Sequence, residues 1–397
     1  MHIFDKCQGF TRAREAMAAG YYPYFVPLEG STATEAIVGG ERKIMIGSNN
    51  YLGLTHHPRV VEAAQAAIKR YGTGCTGSRF LNGNTDMHEL LEERLARFMG
   101  TEAALVFSTG YQTNLGVIGT LVGRTDRLYL DKLDHASIVD ASRLSYGEVA
   151  RFKHGDLEGL RKQMEADRES DSNSGGRMVV VDGVFSMEGD IADLPNLVPL
   201  CEELNAALMV DDAHAIGYLG PRGAGTAEHF GMTDRVPLTM GTFSKSFASI
   251  GGFVGGPEPV IHYLRHHARS LIFSASMPPA AVATVLAALE VIEAEPERRE
   301  RLWQITHRMR EGFRSLGFEI GATETPIIPI MIGPVERTFI FWRAVFDAGV
   351  FTNPVMPPAV PENSCRLRTS YIATHTDDQL DLVLETFEKV GRKLAVI

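Results

Sequence analysis

The chain has 397 residues, of which 44% are hydrophobic and 22% are charged. This composition is typical of a folded protein of about two or three domains and excludes extensive disorder. Lys and Arg number 39 against 49 Asp and Glu, so the formal net charge is −10 and we expect no nucleic-acid partner.

Residues 1–50 are expected to form a helical arm followed by a small hairpin, whose turn lies at Gly39–Gly40. After Pro58, an amphipathic pattern predicts a helix that ends at Gly72. A Gly-rich loop follows, and then a second helix that ends at Gly100. These two helices precede a more regular part of the chain.

From residue 103 onward, short apolar runs alternate with helical patterns. The predicted strands span 103–108, 127–131, 178–185, 208–214, 238–243 and 251–256. Such alternation predicts a parallel sheet covered by helices on both faces. The segment 168–177, rich in Ser and Gly, is expected to be an exposed loop.

After about residue 275 the pattern changes to one long helical stretch over 279–316, followed by strands, a helix near 338–348 and a last helix from Asp377. This predicts a compact α+β unit. We therefore expect an N-terminal arm with a hairpin (1–50), a large domain (51–275) and a smaller C-terminal domain (276–397).

The four cysteines, Cys7, Cys75, Cys201 and Cys365, are far apart and predict neither a disulfide framework nor a metal site. The N-terminus has no signal-peptide core, and the apolar stretch near 280–292 is shorter than the roughly 20 residues of a membrane span. We expect a cytoplasmic protein without a transmembrane segment. Transient contact with a membrane surface stays open.

Two strand ends carry groups suited to amine and ring chemistry. Lys245 lies in GTFSKS (241–246) after a predicted strand, where it is either a loop lysine or a Schiff-base lysine with Thr242 and Ser244 near a phosphate. Asp211 is the second residue of VDDAH (210–214) and lies near the carboxyl end of a predicted strand. There it is either a helix N-cap or the partner of a protonated pyridine nitrogen. His214 lies three residues after Asp211.

Three further loops follow strand ends, and each alone is a weak signal. Residues 107–114 lead through a Gly-containing turn into a helix N-terminus, which favours an anion. His135 follows the strand at 127–131, and Ser186 follows the strand at 178–185. The carboxyl ends of parallel strands form the crevice in which such sheets bind ligands.

Taken in order, these motifs resemble the α-oxoamine synthase family of pyridoxal-phosphate enzymes. The resemblance covers the chain from SNNYLGLT (48–55) through TGSRFLNG (76–83) to RLRTSYIATHT (366–376). It implies the fold type I, aspartate-aminotransferase-like architecture: an α/β large domain with a mainly parallel, cofactor-binding sheet and a smaller C-terminal α+β domain. It also implies a homodimer with sites at the subunit interface, and condensation of an amino acid with an acyl-CoA.

The resemblance assigns roles by position. Lys245 is similar to the lysine that binds the cofactor and acts as the Cα base, Asp211 to the pyridinium partner, His214 to the donor to the ring oxygen, and His135 to the imidazole stacked on the ring. The remaining cofactor contacts implied are Gly110, Tyr111, Ser186, Thr242, Ser244 and, from the neighbouring subunit, Ser274. The substrate contacts implied are Asn49, Ser78 and Arg368, with Arg366 interpreted as a surface charge.

Within the family, three segments of this chain are most similar to those of the soluble bacterial serine palmitoyltransferases. They are GTGCTGSRFLNGN, FSMEGDIADLP and NPVMPPAVP. The implied reaction joins L-serine to palmitoyl-CoA with loss of CO2, giving 3-ketodihydrosphingosine. Some of those enzymes have an arginine where this chain has Met356, whereas a second subgroup also lacks it.

Other functions share these motifs. An 8-amino-7-oxononanoate synthase or a glycine C-acetyltransferase would differ only in substrates. A fold type I aminotransferase would have no CoA partner. A non-catalytic accessory subunit would lack the aldimine-forming lysine, and the presence of Lys245 disfavours that alternative.

Overall fold

The computed structural model describes residues 2–169 and 175–397. The helices before residue 170 are α1 (Asp5–Gln8), α2 (Arg12–Ala18), α3 (Pro58–Tyr71), α4 (Asp86–Met99), α5 (Gly110–Leu121), α6 (Ala136–Leu144) and α7 (Leu157–Glu169). The later helices are α8 (Leu194–Glu203), α9 (Thr226–His229), α10 (Glu258–His267), α11 (Arg269–Ile272), α12 (Pro279–Ala294), α13 (Glu297–Leu316), α14 (Val335–Asp347) and α15 (Asp377–Lys393).

The strands form three sheets. The first ten are β1 (Gly30–Ser31), β2 (Glu35–Val38), β3 (Glu41–Met45), β4 (Ala103–Phe107), β5 (Arg127–Asp131), β6 (Glu148–Phe152), β7 (Arg177–Asp182), β8 (Ala207–Asp211), β9 (Leu238–Thr242) and β10 (Gly252–Gly256). The last four are β11 (Ile327–Gly333), β12 (Val350–Phe351), β13 (Asn353–Val355) and β14 (Cys365–Ser370).

The largest sheet has seven strands in the order β4-β10-β9-β8-β7-β5-β6. β5 to β9 pair in parallel, whereas β10 is antiparallel to both β4 and β9. Its central strands are apolar throughout, as in Val179–Val181, because helices cover both faces. The prediction of an α/β fold built on a mainly parallel sheet is confirmed. Because β5, β7, β8 and β9 point the same way, their carboxyl ends meet at one edge.

The predicted hairpin is formed by β2 and β3, and its turn has φ angles of 58° at Gly39 and 76° at Gly40. Left-handed backbone at both central positions is what a two-residue hairpin turn requires, and glycine adopts it without steric cost. β3 also pairs in parallel with β12, with Ile44 opposite Val350.

Two contacts cross the domain boundaries expected from sequence. Ile44 and Ile46 pack in one apolar cluster with Phe313 and Leu367, so the hairpin contributes to the C-terminal core. α12 packs instead in a cluster with Tyr51 and residues of α3 and α4. The boundaries at residues 50 and 275 stay a prediction.

Several expected elements differ from the structure. The long helical stretch expected over 279–316 is helical except at Glu295 and Pro296, which divide it into α12 and α13, because proline disfavours helical backbone in the residue before it. β6 and α7 were not predicted, since most side chains of this edge strand are polar or exposed. The loop expected at 168–177 is shorter than predicted. Its first two residues belong to the end of α7, and Arg177 begins β7. Residues 170–174 lie outside the described residues.

No helix in the described ranges is long and apolar enough to cross a membrane.

A buried ion network ties the Gly-rich loop to the large sheet. Arg79 contacts the carboxylate of Glu92 at 2.8 Å, and Arg265 contacts it at 2.7 Å. The side chains of Arg79 and Glu92 are 6% and 5% exposed. The backbone N–H of Val106 in β4 donates to the same carboxylate at 2.8 Å. Glu92 therefore holds the loop, α4, β4 and α10 together.

We predict that Glu92→Gln lowers the free energy of unfolding by about 3–5 kcal/mol, because it removes the buried carboxylate that pairs with Arg79 and leaves that buried guanidinium only the half-exposed Glu89 at 3.4 Å as a counterion. Chemical denaturation of the two proteins side by side measures this. The matched control is Glu93→Gln at the next position, whose pair with Arg97 is mostly exposed and should cost under about 1 kcal/mol. Equal losses for both variants would contradict the prediction.

Candidate active site

A cavity of about 590 Å³ lies at the carboxyl edge of the large sheet, between this sheet and β13 and β14. Most residues predicted for the site line it: Asn49, Gly110, Tyr111, His135, Ser186, Asp211, His214, Thr242, Ser244, Lys245 and Arg368. Ser78 and Ser274 do not line it. Ser78 is buried in the Gly-rich loop, and Ser274 accepts a hydrogen bond from the Gln112 amide at 2.6 Å.

Lys245 follows β9, and its side chain faces the cavity. Burial lowers the pKa of its amine to about 8, while the carboxylate of Asp211 acts in the opposite direction. An amine with this pKa is partly neutral near pH 8, whereas an ordinary lysine is almost fully protonated there. Lys245 can therefore both attack a carbonyl carbon and exchange a proton.

Asp211 is the last residue of β8 and is 4% exposed. Both of its hydrogen-bond donors are neutral: the Asn114 amide reaches Oδ2 at 2.7 Å, and the backbone N–H of Ala213 reaches Oδ1 at 3.0 Å. A buried carboxylate held in this way favours a cationic group beside it. Asn114, on α5, was not singled out from the sequence.

Two carboxyl groups near Asp211 have raised pKa values. Burial raises the pKa of Asp182 well above its usual value, and the nearby Asp211 and Asp134 add to this effect. Burial likewise raises the pKa of Asp134, whose carboxyl accepts from the backbone N–H of Asp182 at 3.0 Å. Like charges this close in a buried site cannot all ionise, so Asp182 and Asp134 are driven toward their protonated forms.

His135 is the N-cap of α6, and its Nδ1 accepts the backbone N–H of Ser137 at 3.2 Å. The Ser137 hydroxyl lies 2.7 Å from the same nitrogen and accepts from the Asn114 amide at 2.8 Å. With Nδ1 accepting, the neutral ring carries its proton on Nε2. Burial lowers the pKa of His135, Asp211 opposes this, and Lys245 lowers it further. Asn114 thus connects His135 with Asp211.

His214 is fixed by a tyrosine that the sequence analysis did not single out. The Tyr51 hydroxyl lies 2.7 Å from Nδ1 of His214, and burial raises the pKa of Tyr51 to about 12. Burial also places the pKa of His214 well below its ordinary value. The same hydroxyl also lies 3.4 Å from Oδ1 of Asn49. With the tyrosine protonated and Nδ1 accepting its O–H, the neutral ring of His214 carries its proton on Nε2.

Gly110 begins α5 where this helix comes closest to β9. A Cβ at this position would lie 2.7 Å from Oγ1 of Thr242, so a larger residue would push the helix away. The first N–H groups of a helix have no acceptor within it and favour an anion. The hydroxyls of Thr242 and Ser244 lie 3.1 Å apart beside this turn. This arrangement of helix N–H groups and hydroxyls suits an anion.

Arg368 projects from β14 with 4% of its surface exposed. Its Nε donates to the backbone oxygen of Ser186 at 2.6 Å, and Nη1 reaches the Ser370 hydroxyl at 3.4 Å. Within the described residues its Nη2 is buried and has no acceptor. A buried donor without a partner is costly, and a carboxylate in the cavity would satisfy it.

One position near Arg368 differs from expectation. Arg366, expected on the surface, is 8% exposed and pairs with Glu188 at 3.2 Å. The face of β14 that it shares with Arg368 packs against the loop over 183–190, called here the Ser186 loop. Met356 is 6% exposed, packs in an apolar cluster with Val355 and does not itself line the cavity.

We predict that in the cofactor-free protein an amine-reactive reagent labels Lys245 with a rate that rises through about pH 8 and then levels off. Labelling needs the neutral amine, whose pKa burial lowers. Peptide mapping by mass spectrometry follows the rate against pH.

The variant Asp211→Asn sharpens this test. It removes the carboxylate that opposes the effect of burial, so the midpoint for Lys245 should move below about 8. A midpoint near that of a free lysine, or a shift to higher pH in the variant, would show that the electrostatic description of the site is wrong.

Known proteins are similar to this chain in sequence and in fold. A model of the family "aminotransferase class I and II" matches residues 41–387. A serine palmitoyltransferase of Sphingobacterium spiritivorum is 50% identical, covering 99% of this chain and 98% of the relative. An 8-amino-7-oxononanoate synthase of Geotalea daltonii is 43% identical, covering 98% and 99%.

Among solved structures, a serine palmitoyltransferase from S. paucimobilis with a bound PLP–myriocin aldimine is similar with a TM-score of 0.96 at 36% identity, and each chain is covered completely. The serine palmitoyltransferase of Sphingomonas wittichii gives the same TM-score, identity and coverage. The predicted fold type I architecture is thereby confirmed, and the chain belongs to the class I and II aminotransferase family of pyridoxal-phosphate enzymes.

Proposed function

We propose that this chain is a serine C-palmitoyltransferase. It would use pyridoxal phosphate to condense L-serine with palmitoyl-CoA, giving 3-ketodihydrosphingosine, CoA and CO2. The observation that carries the proposal is that one cavity brings together the amine of Lys245, the carboxylate of Asp211 and the guanidinium of Arg368. The relatives named serine palmitoyltransferase, at 47% to 50% identity, favour serine as the amino acid.

The residues of the cavity fit the cofactor. Asp211, buried with neutral donors, suits a protonated ring nitrogen, and Nε2–H of His214 suits the ring oxygen. The first turn of α5 at Gly110 and Tyr111, with Thr242 and Ser244, suits the phosphate. His135 and Ser186 would lie against the ring. When bound, pyridoxal phosphate supplies a conjugated cationic ring that withdraws electrons from the amino acid.

Arg368 would orient the serine carboxylate through its unpartnered Nη2, because its other nitrogens are held by Ser186 and Ser370. The neutral amine of Lys245 would take the Cα proton of serine and later return a proton to the same carbon. A positioned base of this kind contributes about 10²–10⁴-fold. Asn49 would add a polar contact to the substrate.

The bond changes of the proposed reaction balance. The Cα of serine gives its proton to Lys245 and bonds to the thioester carbonyl carbon, and the C–S bond breaks to release the thiolate of CoA, which takes up a proton. The bond from Cα to the carboxylate then breaks to release CO2, and Cα is protonated. Arg368 must therefore hold the carboxylate for condensation and let it leave as a neutral gas.

We further propose a homodimer in which Ser274 contributes to the phosphate site of the neighbouring subunit and Ser78 lies near its substrate. In support, neither serine lines the cavity of its own chain, and Phe273 beside Ser274 is 73% exposed. The cytoplasmic location stays a prediction.

The proposal predicts a specific response of the cofactor-loaded protein to its substrates. L-Serine should change the visible absorption spectrum more strongly than glycine or L-alanine, and palmitoyl-CoA added afterwards should release CoA, detected with a thiol reagent. Release with alanine and a shorter dicarboxylic thioester instead would indicate an 8-amino-7-oxononanoate synthase. Release of a keto acid without CoA would indicate an aminotransferase.

Arg368→Met should raise the KM for serine by about 10- to 100-fold, because a charge-assisted contact with the carboxylate is lost. Steady-state kinetics at saturating palmitoyl-CoA measure this. The control is Arg343→Met, which removes an arginine that pairs with Asp347 on the surface and should leave the KM unchanged. An unchanged KM in Arg368→Met would mean that another group binds the carboxylate.

A further inference from the structure

His154 lies outside the cavity and between two carboxylates. Its Nδ1 is 3.1 Å from Oδ2 of Asp131, the last residue of β5, and its Nε2 is 3.0 Å from Oδ2 of Asp190. The two contacts use both ring nitrogens. Hydrogen bonds to the two aspartates raise the pKa of His154 to about 10, so at neutral pH the ring is protonated and donates in both directions.

Asp190 closes a short loop whose tip lines the cavity. The loop leaves β7, makes an isolated bridge between Val184 and Ile191, and closes where the N–H of Phe185 donates to the Asp190 backbone oxygen at 3.0 Å. The His154 ring also meets the Phe185 ring edge-on, with centroids 4.4 Å apart. His154 therefore contacts both sides of the loop base, by charge at Asp190 and by packing at Phe185.

The tip of this loop accepts hydrogen bonds from both arginines of β14, Arg366 and Arg368. The backbone oxygen of Ser186 accepts from Nε of Arg368 at 2.6 Å, and the backbone oxygen of Met187 accepts from Arg366 at 3.3 Å. Arg366 also pairs with Glu188 at 3.2 Å. The position of the Arg368 guanidinium thus depends on where the loop tip lies.

The loop has two sets of anchors that belong to different parts of the molecule. On the C-terminal side, the hydroxyl of Thr325 donates to the backbone oxygen of Gly189 at 2.9 Å, beside the arginine contacts. On the side of the large sheet, His154 joins the loop to Asp131 at the end of β5. Asp211 and Lys245 extend from β8 and β9 of the same sheet. His154 therefore links the loop that anchors Arg368 to the sheet that carries Lys245 and Asp211.

We propose that His154 is a positioning residue that sets the affinity for the amino-acid substrate. By holding the Ser186 loop in place, it keeps the guanidinium of Arg368 where it meets the substrate carboxylate. The inference rests on the proposed function of Arg368 as the carboxylate-binding group. It assigns His154 no contact with substrate or cofactor. A displacement of the loop tip would move one end of the carboxylate site while leaving the Lys245 end in place.

The test uses the cofactor-loaded protein with His154→Phe, which keeps a ring against Phe185 and removes both charged hydrogen bonds. We expect the dissociation constant of L-serine, from absorption titration, and the KM for serine to rise roughly tenfold. The kcat should change less than about threefold, and cofactor content and its absorption maximum should stay unchanged. The matched control is His262→Phe on exposed α10, expected to match the unmodified protein.

A second variant keeps the inference testable if His154→Phe does not fold. Asp190→Asn retains the side-chain shape and weakens only the charged contact, so serine affinity should fall in the same direction by a smaller factor. Unchanged serine affinity in a folded variant, or a loss of cofactor in proportion to the loss of activity, would overturn the inference. Failure of the unmodified protein to bind any amino acid would instead count against the proposed function.

Discussion

The carboxylate of Asp211 and the amine of Lys245 line one cavity, and the carboxylate acts on the charge of the amine. Burial disfavours the ionised form of the amine, while the attraction of Asp211 favours it. The result at Lys245 is a compromise, an amine whose pKa lies near 8. Burial and the neighbouring carboxylates raise the pKa values of Asp182 and Asp134 well above the ordinary range, which favours their neutral forms beside Asp211.

The fold also determines where the other groups of the site lie relative to Asp211 and Lys245. Parallel strands bring Asp211 and Lys245 to one edge, and Asn114 from α5 fixes the carboxylate and, through Ser137, the tautomer of His135. β14 brings Arg368 from the other side of the cavity. An amino acid bound there would contact a base on one side and a guanidinium on the other. That geometry suits chemistry at Cα, because it fixes the bond to be broken relative to the electron-withdrawing ring.

The sequence was sufficient to predict those site residues that follow strands in recognisable local motifs. Lys245, Asp211, His135 and the Gly110 turn were predicted because each follows a short apolar strand, and parallel topology brings such ends together. Their roles depended on a family resemblance, because each motif alone fits an ordinary loop.

The residues that were missed act over long sequence distances. Tyr51 meets His214, and Asn114 meets Asp211, from segments whose own patterns describe only a loop and a helix. Arg366 was placed on the surface because strand alternation gives the face but not what covers it; the cover is the Ser186 loop. The interruption of the helical stretch at Pro296 was not predicted, although proline disfavours helical backbone in the residue before it.

The pairing of β3 with β12 also bears on how the chain acquires its structure during synthesis. The outer edge of β3 finds its partner only after the segment around Val350 has been made. Until then Ile44 and Ile46 lack the C-terminal core against which they pack. Such a non-local closure slows folding, and an unpaired strand edge is a template for pairing with other chains.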